Sequence, residues 1–535
     1  MMTKSLFPSL AAAGSVATVA AMLAFGQDGA PPQQQAQPVT NDEAVSLFDG
    51  KTLKGWAGDP KLWRVEDGAI TGETTADAPI TYNTFLKWTD GEVDDFELTA
   101  EYRIFGGNSG IQIRSFDLDK PHAVGGYQAD IDAEGKWAGT NYGEKFRGIL
   151  AKRGESSVIN EEGKPEVTGS LGDSEELAKV IKKEDWNTYR VVAQGNKITC
   201  EINGTKMSEI VDNDTDTRRR AGLLALQLHQ GPPMKVQFRN LQLKRLPLGD
   251  LKKIVYVAGK PSHGPRQHEH NAGAEFAKTM LNGHHGDKVL VTTYHNGWPA
   301  DQSAFQNADA VVIQSDGGPG HPAFWHLRQI DYLRSKGVGV GMLHYAVEMI
   351  PGESNDTLIA ATGGAFEINY SVNPHWDGTF SAFPEHPVAR GVKPFNVVDE
   401  WYFNMRFAKD MQGVTPILSS VAPDETMSRP DGEHSGNPEV RKMVAEKQPQ
   451  HVCWVVERAD GGRGFGFTGL HFHDNWANDD FRKTVLNAIC WIAKVEIPAE
   501  GIVTPTPTQE ELDANLDPKP AKPKPKPAPA QKKAA

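Results

Sequence analysis

Residues 96–132 alternate apolar and polar positions with the two-residue period of β-strands. The segment reads FELTAEYRI, FGGNSG, IQIRSF and, after a short loop, GGYQADID. In its first part Phe96 and Leu98 fall on one side and Glu97 and Thr99 on the other. The pattern predicts strands that bury one face each, joined by a turn over 105–110.

The polar positions of this segment carry functional groups rather than generic surface residues. Gln112 and Arg114 share one parity, and Gln128 and Asp130 share the corresponding parity in the last strand. A merely solvated face would suit Lys, Thr and Ser equally well. If the strands are neighbours, their amides, carboxylates and guanidinium form one surface, which predicts a groove for a polar ligand.

Two domains follow from the hydrophobic pattern of the rest of the chain. Residues 45–246 show short alternating runs separated by Gly, Asn and Asp turns, which predicts an all-β sandwich. Over 252–495, apolar runs such as KKIVYVA alternate with helical segments, the last of them at 481–493. This alternation predicts an α/β domain with a mainly parallel sheet.

The two ends of the chain have other compositions. Residues 1–26 contain Lys4 and then an apolar, small-residue run, which predicts a secretory signal peptide and a periplasmic or secreted protein. An uncleaved anchor is the alternative, because the run is nearly long enough to span a bilayer; after cleavage no stable membrane span is expected. The Pro/Gln-rich 27–44 and the Pro/Lys/Ala-rich 499–535 are predicted to be a disordered linker and tail.

Composition narrows the function classes. A chain of 535 residues is too long for one core, and its net charge of -13 argues against a nucleic-acid-binding surface. The three cysteines, Cys200, Cys453 and Cys490, have no disulfide or zinc spacing, so we expect buried free thiols. The oligomeric state stays open.

Histidines concentrate in the second domain. Of the 17 histidines only His122 and His229 precede residue 252. His263, His344 and His471 follow predicted strands, where α/β folds place their ligands. A divalent metal is one possible cofactor, but no HExxH or comparable signature is present, so the cofactor stays unknown.

The motifs LFDGK (47–51), NSGI (108–111) and FRNL (238–241) resemble the 3-keto-disaccharide hydrolase domain family over 45–246. The resemblance implies a concanavalin-A-like jelly-roll sandwich and cleavage of glycosides oxidised at the third sugar carbon. Where many members carry Glu and Gln after Gly-Tyr, this chain carries Gln128 and Asp130. The site chemistry is therefore expected to be a variant of the family's.

A ketone at C3 makes elimination across C1–C2 possible, and that chemistry needs a base, an oxyanion partner and an acid. The base is expected to be Asp130 or Glu101, the oxyanion partner Arg114 or a metal, and the acid His229. A structural ion pair of Arg114 with either carboxylate is the alternative. The expected substrate contacts are Asn108, Gln112, Gln128, Trp137 and Tyr142.

The motifs PEHP (384–387), DEWY (399–402), GGRG (461–464) and GLH (469–471) resemble the trehalose-utilisation (ThuA-like) family over 252–495. The resemblance implies the flavodoxin-like core of class I glutamine amidotransferases and a link to 3-keto-disaccharide metabolism. The sequence MLHY (342–345) replaces the nucleophilic Cys of those enzymes, so glutaminase activity is not expected. The expected site residues are His263, His344, Glu348, Glu400 and His471.

Glu348 is included because it lies one helical turn after His344, a spacing that would place both on one face. A fold-stabilising pair between Glu400 and Arg463 is the alternative for Glu400.

The leading hypothesis is an exported enzyme that cleaves 3-keto-disaccharides or other 3-keto-glycosides, with a second domain in the same sugar pathway. Its partner would be an oxidised di- or oligosaccharide. One alternative is a non-catalytic, lectin-like carbohydrate-binding protein. Another is a scaffold tethered to the envelope by its basic tail.

Overall fold

The computed structural model describes residues 35–41 and 43–519 as a β domain followed by an α/β domain. The predicted signal peptide, 1–26, lies outside the described residues. Among the helices that are described, none is both long and apolar enough to cross a membrane. Cys200, Cys453 and Cys490 are buried free thiols, as predicted.

The β domain consists of short strands and one short helix. The strands are β1 (Val45–Ser46), β2 (Trp56–Ala57), β3 (Trp63–Glu66), β4 (Ala69–Thr74), β5 (Thr84–Trp88), β6 (Phe96–Phe105), β7 (Asn108–Asp117), β8 (Val124–Asp132), β9 (Asn141–Glu144), β10 (Gly148–Ala151), β11 (Glu155–Ile159), β12 (Pro165–Ser170), β13 (Asn187–Gln194), β14 (Lys197–Ile202), β15 (Thr205–Asp212), β16 (Leu223–Leu228) and β17 (Met234–Arg245). The helix α1 (Ser174–Ala178) lies between β12 and β13.

These strands form two packed sheets, which confirms the predicted all-β sandwich. The larger sheet has the order β12-β11-β15-β14-β13-β6-β17-β4-β3, with β1 beside β17. The smaller sheet has the order β10-β9-β8-β7-β16-β5-β2. Tyr102 and Tyr189 of the larger sheet share one apolar core with Ile111 and Leu226 of the smaller sheet. Alternation along each strand supplies this core, because only every second side chain points inward.

The chain changes sheets inside the segment 96–132. Strand β6 belongs to the larger sheet, whereas β7 and β8 pair with each other in the smaller one. Gly106 and Gly107 join β6 to β7 with φ of +68° and +69°, a conformation that glycine adopts at little cost. The expectation that all three strands share one polar surface is therefore wrong for β6 and correct for β7 and β8.

The α/β domain begins seven residues after β17. Its strands are β18 (Lys252–Ala258), β19 (Val289–Tyr294), β20 (Ala310–Gln314), β21 (Gly339–Leu343), β22 (Gly364–Ala365), β23 (Trp376–Phe380), β24 (Phe395–Asp399), β25 (Arg406–Phe407), β26 (Val414–Val421), β27 (Pro449–Glu457) and β28 (Arg463–Phe467). Its helices are α2 (His270–His285), α3 (Leu327–Ser335), α4 (Glu353–Thr362), α5 (Pro438–Ala445), α6 (Asp479–Ile492) and α7 (Gln509–Asp513).

The main sheet of this domain has the order β19-β18-β20-β21-β28-β27-β26. Its first five strands are parallel, and β27 and β26 are antiparallel additions. The predicted α/β fold is confirmed. The carboxyl ends of β18, β20, β21 and β28 consequently meet at one edge, where such folds bind their ligands.

Parts of the predicted linker and tail pack on the α/β domain. The Gln35 side chain donates to the Phe324 carbonyl oxygen, at 3.0 Å. After residue 499 the chain buries Ile502 and Leu512 and forms α7, which Thr508 and Glu511 cap reciprocally. These apolar contacts give order to residues that composition alone assigns to a disordered tail, whereas 520–535 lie outside the described residues.

Buried charges join the two domains. Asp94, two residues before β6, accepts from Arg245 Nη1 at 2.8 Å and lies 2.8 Å from Lys253 Nζ. Arg245 Nη2 also lies 2.7 Å from Asp301 of the α/β domain. Burial alone would raise the pKa of Asp94, but the two cations outweigh it and hold that pKa at about 2.

We predict that Asp94→Ala strongly destabilises the protein, because it leaves Lys253 buried without a paired carboxylate and Arg245 with Asp301 alone. The free energy of unfolding, measured with urea, should fall by about 3–5 kcal/mol. Because the folded-state pKa of Asp94 lies below its ordinary value of 3.8, its contribution is present above that pH and lost as pH falls towards 2.

Glu101→Ala is the matched control. Glu101 pairs at 2.6 Å with Arg239, but this pair is partly exposed to solvent. Its loss should cost less than about 1 kcal/mol. Equal destabilisation by the two substitutions would contradict a special role for the buried charges.

Candidate functional site

A group of polar side chains lies on the face of the smaller sheet that points away from the sandwich core. We call Gln112, Gln128, Asp130, Glu144 and Gln227 the polar patch. Gln112 is paired across strands with Gln128, and Gly110 with Asp130. Their sequence neighbours, Ile111 and Ala129 among them, enter the core. The period of two therefore places the patch on the opposite face.

Amide hydrogen bonds connect the patch. Gln112 Nε2 donates to Gln128 Oε1 at 2.7 Å, and Gln128 Nε2 donates to Asp130 Oδ1 at 2.6 Å. Gln128 lies directly over Gly110, where an added Cβ would come within 2.5 Å of its side chain. Gln227 Oε1 lies 3.4 Å from Gln128 Nε2, and Gln227 Nε2 is buried without a partner among the described residues. The patch thus holds one unused amide donor near its carboxyl group.

Asp130 is the chemically distinctive member of the patch. It is 6% exposed, and no cation pairs with it among the described residues. Burial raises its pKa to about 8; the hydrogen bond from Gln128 opposes this shift, and the nearby Glu144 and Asp132 add to it. A carboxyl group with such a pKa keeps its proton near neutral pH and is a much stronger base once deprotonated.

The predicted residues around the patch occupy different positions. Tyr142 is half-buried and pairs across strands with Gln128. His229 is half-buried just after β16, with Nδ1 2.6 Å from the Gln230 carbonyl oxygen. Asn108 is paired across strands with Asp132, whose carboxylate accepts from the Trp137 backbone N–H at 2.8 Å. Tyr142 and Asn108 share the face of the patch through these pairings. None of the predicted side chains Asn108, Trp137, Tyr142 and His229 is hydrogen-bonded to Asp130 in the described part of the chain.

Arg114 does not belong to the patch, which corrects its expected role as oxyanion partner. The register of β7 against β8 shifts just after Ile113, and Arg114 has φ of +45°. This bulge redirects the side chain, which donates to the Asp94 carbonyl oxygen and pairs with Asp95 at 2.6 Å. At 1% exposure, Arg114 is a structural group.

Glu101 also lies away from the patch. It lies on β6 of the larger sheet and pairs with Arg239 of the neighbouring β17. The crossing of the chain between sheets separates it from Asp130. Of the two expected bases, only Asp130 remains in a suitable environment.

A second group lies at the carboxyl edge of the parallel sheet. His268, His344, Glu400 and His471, which we call the histidine cluster, each offer one nitrogen or oxygen, and these atoms all lie within 4.8 Å of one another. His344 follows β21, His471 follows β28, and His268 lies in the loop between β18 and α2. Glu400 directly follows β24.

His344 occupies a sharp turn after the central strand. Its φ is +56°, and a short 3-10 turn begins at the same residue. Such backbone strain persists only where the surroundings fix it, often at functional sites. His344 Nδ1 lies 2.9 Å from the Thr468 carbonyl oxygen. Because a carbonyl only accepts, Nδ1 carries the hydrogen and Nε2 presents a lone pair to the cluster.

His268 is held in the same way by a carboxylate. Its Nδ1 lies 2.7 Å from Asp316 Oδ1, and its Nε2 lies 3.0 Å from His344 Nε2. Burial lowers the pKa of His268 to about 4 and that of His344 well below 6.5. Burial opposes ionisation of Asp316, but hydrogen bonds from His268 and His270 lower its pKa. Because both Nδ1 atoms face oxygen acceptors, the Nε2 lone pairs of His268 and His344 face each other.

His471 and Glu400 complete the cluster. His471 Nδ1 lies 3.0 Å from Glu400 Oε2 and 3.0 Å from His268 Nε2. Asn373 Nδ2 donates to the other Glu400 oxygen at 3.2 Å. Asp399 accepts the His471 backbone N–H at 3.0 Å, which fixes the loop that carries this imidazole. Each member of the cluster is thus positioned by a residue outside it.

The predicted residues of this domain have mixed outcomes. The structure brings together His344, His471 and Glu400, and His263 stacks on His268 with ring centroids 3.6 Å apart. Glu348 lies apart from the cluster and accepts from His434 at 3.1 Å. The expected helical face with His344 is not formed, because the intervening 3-10 turn ends at 347.

The alternative pairing of Glu400 with Arg463 is absent from the described contacts. Arg463 lies over the Trp491 ring at 4.6 Å and donates to the Trp491 carbonyl oxygen.

The site residues expected from the sequence do not include four residues that belong to these two groups or support them: Gln227, Glu144, His268 and Asp316. Asp316 follows β20 by two residues, so the strand-end rule that selected the histidines also applies to it. His268 lies close behind the predicted His263 in the loop after β18, so the same rule points to this loop, although not to this histidine.

Residues 43–244 match the family model described as a 3-keto-alpha-glucoside-1,2-lyase-like domain. Residues 255–492 match the family model described as trehalose utilisation. The chain is a fusion of domains from these two families. Their boundaries coincide with the β domain and the α/β domain of the structure.

Solved structures resemble each part at low overall similarity. A candidate glycosyl hydrolase from Parabacteroides distasonis is 20% identical, with 38% of this chain and 100% of that chain covered and a TM-score of 0.27. A carbohydrate-binding module from Bacillus subtilis is 14% identical, with 39% and 99% covered and a TM-score of 0.25. A candidate ThuA-like protein from Bacteroides uniformis is 15% identical, with 45% and 91% covered and a TM-score of 0.32. No curated protein matches the chain significantly.

We predict that the Asp130 carboxyl titrates near pH 8 in the folded protein, as followed by carbon NMR of labelled aspartate. Glu144→Gln should lower this pKa, because it removes a nearby negative charge. Gln128→Leu should raise it, because it removes a donor to the ionised form. A titration near pH 4 that neither substitution moves would contradict the described environment.

Proposed function

We propose that the β domain cleaves 3-keto-glycosides by elimination, with Asp130 as the base. The observation that carries the proposal is this buried carboxyl group, whose pKa is raised to about 8 and which lies on a polar sheet face. The family description, which names a 3-keto-alpha-glucoside-1,2-lyase, supports the same substrate class. In the broadest terms, the function is related to carbohydrates.

The ketone determines what the protein must supply. It acidifies the proton on C2 and leaves the glycosidic oxygen in the β position. Asp130 takes the C2 proton, the electron pair forms the C1–C2 double bond, and the bond from C1 to the leaving oxygen breaks. The leaving oxygen takes up a proton. Addition of water across the double bond would then give net hydrolysis.

The developing charge on the ketone oxygen needs a donor other than Arg114. Gln227 Nε2 is buried, unpartnered in the described residues and adjacent to Gln128, so its N–H groups suit this role. Tyr142 and His229 border the patch and are the groups proposed to protonate the leaving oxygen. Burial raises the pKa of Tyr142, so its hydroxyl keeps its proton.

For the α/β domain we propose a second activity on a related sugar. Its trehalose-utilisation family supports a role on a related sugar, so one chain would carry two activities for one class of oxidised saccharide. The signal sequence expected at 1–26 would place both activities in the periplasm or outside the cell.

We predict that the protein releases a monosaccharide, or the sugar with a C1–C2 double bond, from a 3-keto-disaccharide. It should release neither from the unoxidised parent. Chromatography of both reactions tests this. Asp130→Asn should lower kcat/KM by about 10²–10⁴-fold without unfolding the protein, because it removes the base. In the wild type, kcat/KM should rise with pH up to about 8, since only the deprotonated carboxyl accepts the C2 proton.

Glu101→Gln is the control, because Glu101 is a carboxylate of the same domain on the other sheet; its activity should equal that of the wild type. Binding of both disaccharides without turnover would overturn the proposal and favour a lectin-like protein. Equal turnover by Asp130→Asn would remove Asp130 from the mechanism.

A further inference from the structure

We infer that the histidine cluster binds one first-row divalent cation of the zinc class through His268, His344, Glu400 and His471. The inference concerns the α/β domain and does not depend on the proposed reaction of the β domain.

Too few hydrogens are present for the close contacts of the cluster. His268 Nε2 and His344 Nε2 lie 3.0 Å apart, while the Nδ1 hydrogens of both rings are given to Asp316 and Thr468. Two lone pairs at this distance repel each other unless a positive charge lies between them.

Nearby donors relieve only part of this conflict. His471 Nδ1 lies 3.0 Å from both His268 Nε2 and Glu400 Oε2, yet it has one hydrogen at most. The Tyr402 hydroxyl lies 3.4 Å from His344 Nε2 and 3.3 Å from Glu400 Oε2, and it also has one hydrogen. If both hydrogens go to the two imidazoles, Glu400 Oε2 loses both donors, and there is still no hydrogen between the two Nε2 atoms. One cation would satisfy all four members at once.

The spacing of the ligand atoms fits such an ion. A tetrahedral zinc with bonds of about 2.0–2.1 Å separates its ligand atoms by about 3.3 Å. The separations in the cluster are 3.0 Å for His268–His344, His268–His471 and His471–Glu400, and 3.6 Å for His344–Glu400. These four separations are close to the tetrahedral value, and all the ligand atoms lie within 4.8 Å of one another.

The surroundings also match a metal centre. Metal-binding imidazoles usually donate their second N–H to a carboxylate or a backbone carbonyl, as His268 does to Asp316 and His344 to Thr468. His471 Nε2 is buried without a partner among the described residues. With Nδ1 on the cation, this nitrogen carries a hydrogen that remains available to a molecule bound beside the ion.

The donor set selects the class of cation. Three imidazole nitrogens and one carboxylate oxygen suit Zn²⁺, Co²⁺, Ni²⁺ or Fe²⁺. Mg²⁺ and Ca²⁺ prefer oxygen ligands and should not compete.

Titration of the chelator-stripped full chain with Co²⁺, followed by visible absorption, tests the inference. We expect one Co²⁺ per chain and a ligand-field band that is lost when Zn²⁺, but not Mg²⁺, displaces the Co²⁺.

Glu400→Gln, which removes one ligand at constant shape, should weaken Co²⁺ binding at least as much as Asp316→Asn. Asp316→Asn should weaken it by about 10–100-fold, because it removes only the support of His268.

His295→Gln is the matched control, because His295 pairs with Glu275 at 2.8 Å elsewhere in the domain. It should bind Co²⁺ like the wild type, and circular dichroism should show that all variants are folded. Absence of stoichiometric Co²⁺ and Zn²⁺ binding by the wild type would overturn the inference. Equal affinity in the wild type, Glu400→Gln and Asp316→Asn would also overturn it.

Discussion

Two adjacent carboxylates just before β6 hold the structure together. Asp94 is buried against Arg245 and Lys253, and Asp95 is buried against Arg114. The first set joins the β domain to the α/β domain. The second fixes the bulge of β7, and with it the register that places Gln112 beside Gln128 on the outer face of the smaller sheet. The position of the second domain therefore depends on Asp94, and the polar patch depends on its neighbour Asp95.

The two candidate sites differ from the domain junction, where buried charges are paired with opposite charges. At the junction every buried ion has an opposite charge at hydrogen-bond distance, as burial requires. In the patch, Asp130 has amides and other carboxylates for neighbours and responds by keeping its proton. In the histidine cluster, lone pairs converge on a common centre. Each site thus lacks a partner that a substrate or a cation would supply.

Much of this architecture could be predicted from the sequence, because burial of one face imposes a local period. The alternation along β6, the apolar run of β18 and the amphipathic α2 all follow from that constraint. The strand-end rule also points to His344 and His471, which the structure brings together, since parallel strands deliver their carboxyl ends to one edge.

The positions of Arg114, Glu101 and His268 depend on contacts between residues far apart in sequence, which a local pattern does not show. A period of two assigns Arg114 to the face of Gln112, but a bulge fixed by Asp95 turns it away. The sequence pattern places Glu101 with Asp130, because it does not show that the chain changes sheets after β6. His268 enters its cluster through a loop whose path depends on contacts distant in sequence, such as that with His471.

The proposed cleavage in the β domain begins with removal of the C2 proton. A 3-keto-disaccharide carrying deuterium at C2 of the oxidised ring tests it directly, through comparison of kcat/KM with that of the unlabelled sugar. Elimination with Asp130 as the base predicts a primary isotope effect, with the deuterated substrate clearly slower. Direct displacement at C1 leaves the C2 bond intact, so equal rates for the two sugars would contradict the account.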